Sequence, residues 1–382
     1  MTETVLMLTV AERVLSAAVV SVLLAGTVSA GAVERPPVAA PVKAAPSLAP
    51  SSPSPSPTTA EPSPEPSPQA APKKKASLLP PAVGPEKPQA GCPVPRRPNL
   101  PGRKPTPRKP PIVAEAALPE PVATSGKAAS LYPLSGKGLW VTNFKETPVD
   151  TEAIVAKAKA AGLRNIWVRT GGRQGYYGHQ FLPELVPAAH AAGLAVVAWD
   201  FPYLSDPVAD ALRAKQAFAD GIDAFAPDIE TAAEGTYATA PRVALYLSLV
   251  RTYAGDKPIA ATVPRPTPQR RKSFPYKAFV PYADLFAPMV YWSCNEPGAL
   301  VKQSLSELGA LLPVHPVGQG YDMGEEGGRR GVPTRAETWR FLDVAKRGGA
   351  VGASLWTVER MGAAQLDALT AYPWPGRYTG AG

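Results

Sequence analysis

The chain of 382 residues has two cysteines and three histidines. Two cysteines exclude a disulfide-dense scaffold. His179, His190 and His315 are scattered without metal-ligand spacing, which argues against a histidine zinc site and against metal-dependent deacetylation, so no metal and no cofactor is expected. A phosphate loop is missing as well. The glycine-rich run Gly324-Glu-Glu-Gly-Gly-Arg-Arg-Gly331 lacks the Lys-Ser/Thr of such a loop and reads as a lid. The net charge of +9 does not reside where a nucleic-acid site would need it, because residues 34 to 133 carry 13 Lys and Arg against six Glu. No nucleic-acid partner is expected.

What is present divides the chain into two kinds of polymer. Between Pro36 and Pro133 lie 28 of the 48 prolines, in repeats such as Ser51-Ser-Pro-Ser-Pro-Ser-Pro. Proline removes backbone donors and few large apolar groups accompany it, so 31–133 reads as a disordered, basic linker. Lys73 to Lys75 and Arg96-Arg97 offer contacts to an anionic wall polymer, with plain solvation as the other reading. Ahead of the linker, Val14 to Val28 is an uncharged run of about fifteen residues, short for a membrane span. Residues 1–30 therefore read as a signal peptide, with a retained N-terminal anchor and an extracellular domain as the alternative. The protein is expected to be secreted or cell-wall associated. Cys92 lies in the linker and Cys294 in the folded part, where they either pair or stay as two thiols.

From 134 to 376 short apolar runs alternate with amphipathic stretches, and 377–382 is a tail. The runs begin at Gly138, Asn165, Ala195, Ala224, Pro258, Leu285, Val314 and Gly352. Eight continuous apolar strands separated by helices predict an α/β fold, a closed (β/α)₈ TIM barrel. Thr147-Pro148, Asp206-Pro207 and Thr334-Arg-Ala-Glu337 supply helix starts, and Ala161-Gly162-Leu163 and Ala192-Gly193-Leu194 supply stops. The fifth unit, rich in proline between Pro264 and Pro281, offers little helix. A monomer is expected.

In such a barrel the site lies at the carboxyl ends of the strands. The polar and aromatic residues there are Asn143, Arg169, Trp199, Asp200, Asp228, Glu230, Arg265, Tyr291, Trp292, Gln319, Tyr321, Asp322, Trp356 and Glu359. Carboxylates, amides and aromatics without a cysteine nucleophile suit a carbohydrate, and tryptophans at strand ends can stack on a sugar or fill the core. Trp140 and Trp167 fall inside strands and read as core, while Tyr176-Tyr177 in the second loop are placed to line a cleft. In Asp228-Ile-Glu230 the two-residue period sends both carboxylates to the same side, where crowding of like charges supplies a protonated acid.

These residues resemble a known family. Asp223-Ala-Phe-Ala-Pro-Asp228-Ile-Glu230 resembles the fourth-strand signature Asp-Gly-x-Asp-x-Asp-x-Glu of the family 18 glycoside hydrolases, which are chitinase-like barrels, and Met289-Val-Tyr291-Trp292 resembles their Met-x-Tyr-Asp. The resemblance implies Glu230 as general acid, Asp228 as the group that orients the substrate's acetamido nucleophile, and Tyr291 as its hydrogen-bond donor. Ala226, Pro227 and Trp292 depart from the pattern. A looser resemblance is to the family 25 muramidases, which also use a fourth-strand Asp-x-Glu pair. Without acetamido assistance a second carboxylate is required, and Asp200, Asp322 and Glu359 are its candidates. Their strand-end positions, rather than the resemblance, make Asn143, Arg169, Trp199, Asp200, Trp292, Gln319, Tyr321, Asp322, Trp356 and Glu359 the candidate substrate-binding residues. The implied function is hydrolysis of cell-wall, peptidoglycan-type or other amino-sugar polysaccharide. The alternative is a catalytically inactive barrel that binds glycan or a protein partner.

The apolar run makes one expectation directly measurable. N-terminal sequencing of exported protein should give a start near Ala30, whereas an intact Met1 on membrane-bound protein identifies the retained anchor.

Overall fold

The computed structural model describes residues 92, 112–123, 129–142 and 149–374. The apolar run, most of the proline-rich segment, Asn143, the Thr147-Pro148 start and the tail from 377 lie outside the described residues. Eight parallel strands follow one another: β1 (Gly136–Val141), β2 (Asn165–Gly172), β3 (Ala195–Asp200), β4 (Ala224–Pro227), β5 (Ala260–Pro264), β6 (Leu285–Val290), β7 (Val317–Gln319) and β8 (Gly352–Trp356). They are hydrogen-bonded in the order β4-β3-β2-β1-β8-β7-β6-β5. Two isolated parallel bridges, Phe225 to Ile259 and Asp228 to Thr262, join β4 to β5 and close the ring. The fold is a (β/α)₈ barrel.

The helices are α1 (Thr151–Ala160), α2 (Leu182–Ala191), α3 (Pro207–Ala219), α4 (Ala240–Ala254), α5 (Arg270–Ser273), α6 (Pro297–Leu308), α7 (Arg335–Arg347) and α8 (Ala363–Ala371). Their ends follow from local chemistry. The Asp206 carboxylate accepts from Ala209 N at 3.1 Å ahead of Pro207, and Thr334 with Glu337 forms a reciprocal capping box. Asp150 caps α1, accepting from Ala153 N at 2.9 Å. Gly162 and Gly193 stop α1 and α2 at φ of 60° and 75°, a left-handed conformation that a side chain would strain. The proline-rich fifth unit yields only the four residues of α5, as its composition predicts.

Alternation along each strand sorts the core into two layers. Outward residues such as Ile166, Val168, Phe225 and Phe286 pack under the helices. Inward residues fill the lumen with an uneven distribution of bulk. Trp140, Trp167, Trp199 and Trp356 come from β1, β2, β3 and β8, while Ala224, Ala226, Ala260 and Ala287 face them from β4, β5 and β6. Trp140 stacks on Trp167 with centroids 4.7 Å apart and touches Trp199 and Trp356 at 5.6 and 5.5 Å. Three of the indole N–H groups are satisfied inside the wall: Trp140 donates to Ser354 Oγ at 2.8 Å, Trp167 to Asn165 Oδ1 at 2.7 Å and Trp199 to Val141 O at 3.1 Å. Gly138 leaves the room this requires: a Cβ there would lie 2.7 Å from the Trp167 indole nitrogen.

The amino-terminal end of the lumen is plugged by the turn Tyr132–Leu134 and by His315. His315 packs against Trp167 with ring centroids 5.0 Å apart and planes tilted by 50°, and its Nδ1 lies 2.7 Å from Leu134 O. Part of the segment expected to be linker also lies on the barrel. Val113 N donates to Ser205 O at 3.0 Å, Val122 N to Ser248 Oγ at 3.0 Å, and buried Arg242 of α4 donates to Val113 O. Residues 112–123 thus depart from the linker reading, because here the backbone finds partners on α4 and its preceding loops. The Cys92 and Cys294 sulfurs are bonded, with Cα atoms 5.7 Å apart across 202 residues of chain.

Complete burial pushes the His315 imidazole down to about 4 from an ordinary 6.5, outweighing its backbone hydrogen bond. The folded protein therefore keeps it neutral while the unfolded chain takes up a proton below pH 6.5, so its contribution to stability is lost as pH falls from 6.5 towards 4. In urea melts of the full chain, the stability difference between wild type and His315→Gln should shrink by roughly 2–3 kcal/mol between pH 7.5 and 4.5. A difference that does not change with pH would refute the assignment.

Candidate active site

The mouth at the carboxyl ends of the strands is built around the β4 to β5 seam. After Ala226 faces the lumen, Asp228 and Glu230 continue on the same side, and Phe225 and Ile229 face the helices. The Asp228 backbone is locked on both flanks: its N–H donates to Asp200 O at 2.9 Å, and the next residue's N–H donates to Thr262 O at 3.0 Å. Its side chain is 5% exposed. Among the described residues its Oδ1 has no hydrogen-bond partner, and neither has the Thr262 hydroxyl of the facing strand. A buried carboxyl oxygen left unpaired costs free energy unless the group is protonated or a ligand supplies the donor.

Electrostatics follow from this placement. Burial first, then the neighbouring Glu230, raise the Asp228 carboxyl well above its ordinary range, with Arg169 opposing. Glu230 is half-buried and is pushed up to about 7, by burial first and then by Glu234, while Arg270 pulls it down and Glu326 pushes it up. The crowding thus has a different distribution from the expected one. Asp228 feels Glu230, but the elevation of Glu230 comes from its own burial and from Glu234 four residues on.

Tyr291, the next inward position beyond Met289 on β6, is half-buried and raised well above its ordinary value by burial, by Tyr321 and by the two carboxylates. Tyr321 sits edge-on to it at 5.6 Å and donates to Glu326 at 2.9 Å. Arg169 projects from β2 into the same space, its guanidinium 5.2 Å from the Trp199 ring. Asp228, Glu230, Tyr291, Tyr321 and Arg169 are therefore brought together, with Trp356 half-buried against Trp199 at 5.0 Å.

Other expected residues are not delivered to this mouth. Asp200 lies on the outward side of β3, fully buried, and pairs with Arg213 of α3 at 2.6 Å. Trp199 is 2% exposed and walled in by Trp140 and Trp356, so its ring is core. Trp292 is fully buried against Phe341 of α7 at 5.5 Å, because it is one residue out of phase with Tyr291. Gln319 is buried and spent on bracing loops, accepting from Ser293 N at 2.7 Å and donating to Tyr321 O at 2.9 Å. Glu359 accepts from Thr142 N at 2.7 Å and from the Thr357 hydroxyl, which ties the ends of β1 and β8. Asp322 is exposed and held low by N–H groups of its own loop, Gly324 first. Arg265 turns outward to Gln303 at 2.8 Å. Tyr176 does not line the cleft, since its hydroxyl donates to Asp220 at the end of α3.

The glycine-rich run after β7 is pinned rather than loose: Arg329 N donates to Ser293 Oγ at 2.8 Å and its guanidinium pairs with Glu337. An open cavity of about 690 Å³ over this loop is lined by Asp322, Gly324, Glu325, Arg330 and Arg360. Its lining does not include the carboxylate pair. Sequence reasoning missed Glu234, Arg270 and Glu326. They sit past the strand ends, Glu234 in a loop, Arg270 at the start of α5 and Glu326 in a short turn, where no strand or helix period points to them. Among the described residues no group of three or more histidine, cysteine or acidic side chains is arranged to hold a metal ion.

No protein-family model matches the sequence, and no curated protein matches it. Solved structures match at the level of the barrel. The spore cortex-lytic enzyme SleL of Bacillus megaterium QM B1551 is 10% identical over 64% of this chain and 75% of that chain, with a TM-score of 0.48. A chitinase from Chromobacterium violaceum ATCC 12472 is 9% identical over 62% of this chain and 98% of its own, with a TM-score of 0.47. Thiamine phosphate pyrophosphorylase from Pyrococcus furiosus, which has a different activity, is 12% identical over 63% of this chain and 95% of its own, with a TM-score of 0.39.

The origin of the Glu230 elevation is open to direct measurement. A carboxyl ¹³C titration of the full chain should place Glu230 near pH 7, and Glu234→Gln should move that midpoint to lower pH by removing a repelling charge. An unmoved midpoint would mean that Glu234 does not act on it.

Proposed function

We propose that the chain is a glycoside hydrolase acting outside the cell on cell-wall or other amino-sugar-containing polysaccharide. The observation that carries this reading is Glu230: a half-buried acid at the carboxyl end of β4, raised to about 7 and seated beside the buried Asp228. A carboxyl that holds its proton near neutral pH and regains it after transfer is what cleavage of a glycosidic bond asks of a general acid.

In this reading the bridging oxygen of the bound sugar chain takes the Glu230 proton as the bond to the anomeric carbon breaks. The positive charge that develops there needs a nucleophile. Asp200, Asp322 and Glu359, the candidates for a second carboxylate, are respectively ion-paired behind the β3 wall, held in an exposed loop, and tied between two strand ends. In the mechanism that the family 18 resemblance implies, the nucleophile is the substrate's own acetamido oxygen, which closes on the anomeric carbon. The unpaired Oδ1 of Asp228 supplies an acceptor for the acetamido N–H, and the Tyr291 hydroxyl supplies a donor for its oxygen. Water then opens the ring formed, losing its proton to the Glu230 carboxylate, so the acid is restored. Arg169 and Trp356 are the neighbouring groups for binding the sugar, and the SleL and chitinase barrels are consistent with this substrate class.

Mass detection of products from wall glycan and chitin oligomers is the test. Glu230→Gln should lower turnover by a factor of about 10² or more with little loss of binding, the usual scale for a positioned general acid. Asp228→Asn should also impair it, and Tyr291→Phe should do so most on substrates bearing an acetamido group. Unchanged activity of Glu230→Gln on a cleaved glycan would sink the assignment. Binding without cleavage by the wild type would identify the inactive, glycan-binding barrel.

A further inference from the structure

The wall beside Asp228 holds a hydroxyl to which the cleavage chemistry assigns no role. On β5 the two-residue period places Ala260 in the lumen and Ala261 and Val263 under the helices, so Thr262 points inward, one step nearer the mouth than Ala260. An isolated parallel bridge pairs it with Asp228, and the Ile229 N–H that donates to Thr262 O at 3.0 Å fixes that register. Residues paired across neighbouring strands lie about 4.8 Å apart with their side chains on the same face. Thr262 is 2% exposed. Among the described residues its Oγ1 has no hydrogen-bond partner, and neither has Asp228 Oδ1.

Two buried polar atoms without partners therefore stand on adjacent strands at the seam of the site. Each carries a desolvation cost, and a valine in place of Thr262 would suit a strand equally well without it. A hydroxyl can donate as well as accept, while an ionised carboxyl only accepts. One rotation of the Thr262 side chain between staggered positions redirects its oxygen without moving the strand. The charged form of Asp228 thus has a donor next to it, and a hydrogen bond to the charged form favours ionisation, which burial and Glu230 oppose. An ionised acceptor in turn binds an amide N–H more strongly than a neutral one.

We propose that Thr262 is a positioning residue for Asp228: its hydroxyl donates to the Oδ1 of the carboxylate and holds that oxygen towards the acetamido N–H of a bound sugar. The proposal rests on the glycosidase reading for its substrate but not for the bond between the two side chains. It extends the apparatus that selects an amino sugar from the Asp-x-Glu segment to the facing strand.

The full chain is compared with Thr262→Val, which keeps the shape and removes the hydroxyl, and with Thr262→Ser, which keeps the hydroxyl; Thr262→Ala replaces the valine variant should that one fail to fold. In a carboxyl ¹³C titration without glycan, Thr262→Val should raise the Asp228 midpoint by about one pH unit, the scale of one hydrogen bond to a charged group, and Thr262→Ser should restore it. The same carboxyl is faced by Glu230 and Glu234 of its own segment, by Arg169 of β2, by Asp200 at the end of β3 and by Tyr291 beyond β6, and the variants change none of these. With chitin oligomers, Thr262→Val should lower kcat about tenfold with little change in KM, and Thr262→Ser should recover it. In an Asp228→Asn background the valine should cost nothing further, because the hydroxyl acts through the carboxylate. An undiminished kcat of Thr262→Val on a cleaved oligomer, or a loss that persists in full beside Asp228→Asn, overturns the proposal and leaves the Glu230 assignment standing. Should the wild type cleave no glycan, the titration decides alone. A raised midpoint restored by serine then upholds the bond between Thr262 and Asp228 while the glycosidase reading fails, and an unmoved midpoint overturns it.

Discussion

The tryptophan packing in the barrel lumen is the constraint on which the rest depends. Four indoles from β1, β2, β3 and β8 occupy one side of a space that only eight strands enclose, so the opposing wall must be small, and β4, β5 and β6 present alanines to it. Large against small is how a lumen of this size reaches the density of a protein interior. Three of the indole N–H groups, those of Trp140, Trp167 and Trp199, are consumed within the wall by Ser354, Asn165 and a carbonyl, so the packing fixes their ring orientation as well as volume. The result is a close-packed floor beneath the mouth.

That floor explains the behaviour of the carboxylates above it. Asp228 and Glu230 leave the ring at the seam between β4 and β5, the one junction held by isolated bridges instead of a continuous ladder. With alanines below them both acids are desolvated, and desolvation is the first cause of the raised proton affinity of each. Groups so placed reduce stability at neutral pH, since the unfolded chain would ionise them freely. A fold tolerates that cost where a protonated acid and an unpaired acceptor have a use.

The loops around the mouth are held by polar contacts that take the place of a core. Gln319 at the end of β7 bridges the backbone of Ser293 and Tyr321, Ser293 in turn accepts from Arg329, and Glu359 joins the ends of β1 and β8. Next to Ser293, Cys294 is bonded to Cys92, which attaches a remote part of the chain to the loop that follows Tyr291. On the opposite flank residues 112–123 lie along α4. Amides and carboxylates that a sequence presents as sugar ligands are thus largely occupied in keeping the sugar-facing residues in place.

The sequence by itself determined the eight strand-and-helix units, their glycine stops, the weak fifth helix and the inward direction of Asp228 with Glu230, because each depends on composition or on a two-residue or 3.6-residue period within one segment. It left the phase of the strand ends undecided. Trp199 and Asp200 cannot both face the lumen, nor can Tyr291 and Trp292, and a step of one residue exchanges core for mouth. Only tertiary structure resolved them, through partners on neighbouring helices: Arg213 of α3 pairs with Asp200 on the outward side, and Phe341 takes Trp292 into the layer under α7. The same holds for Glu234, Arg270 and Glu326, whose fields meet at Glu230 although 92 residues separate the first of the three from the last, from 234 to 326. Loop side chains are positioned by which strands the barrel sets side by side, and no local period encodes that adjacency.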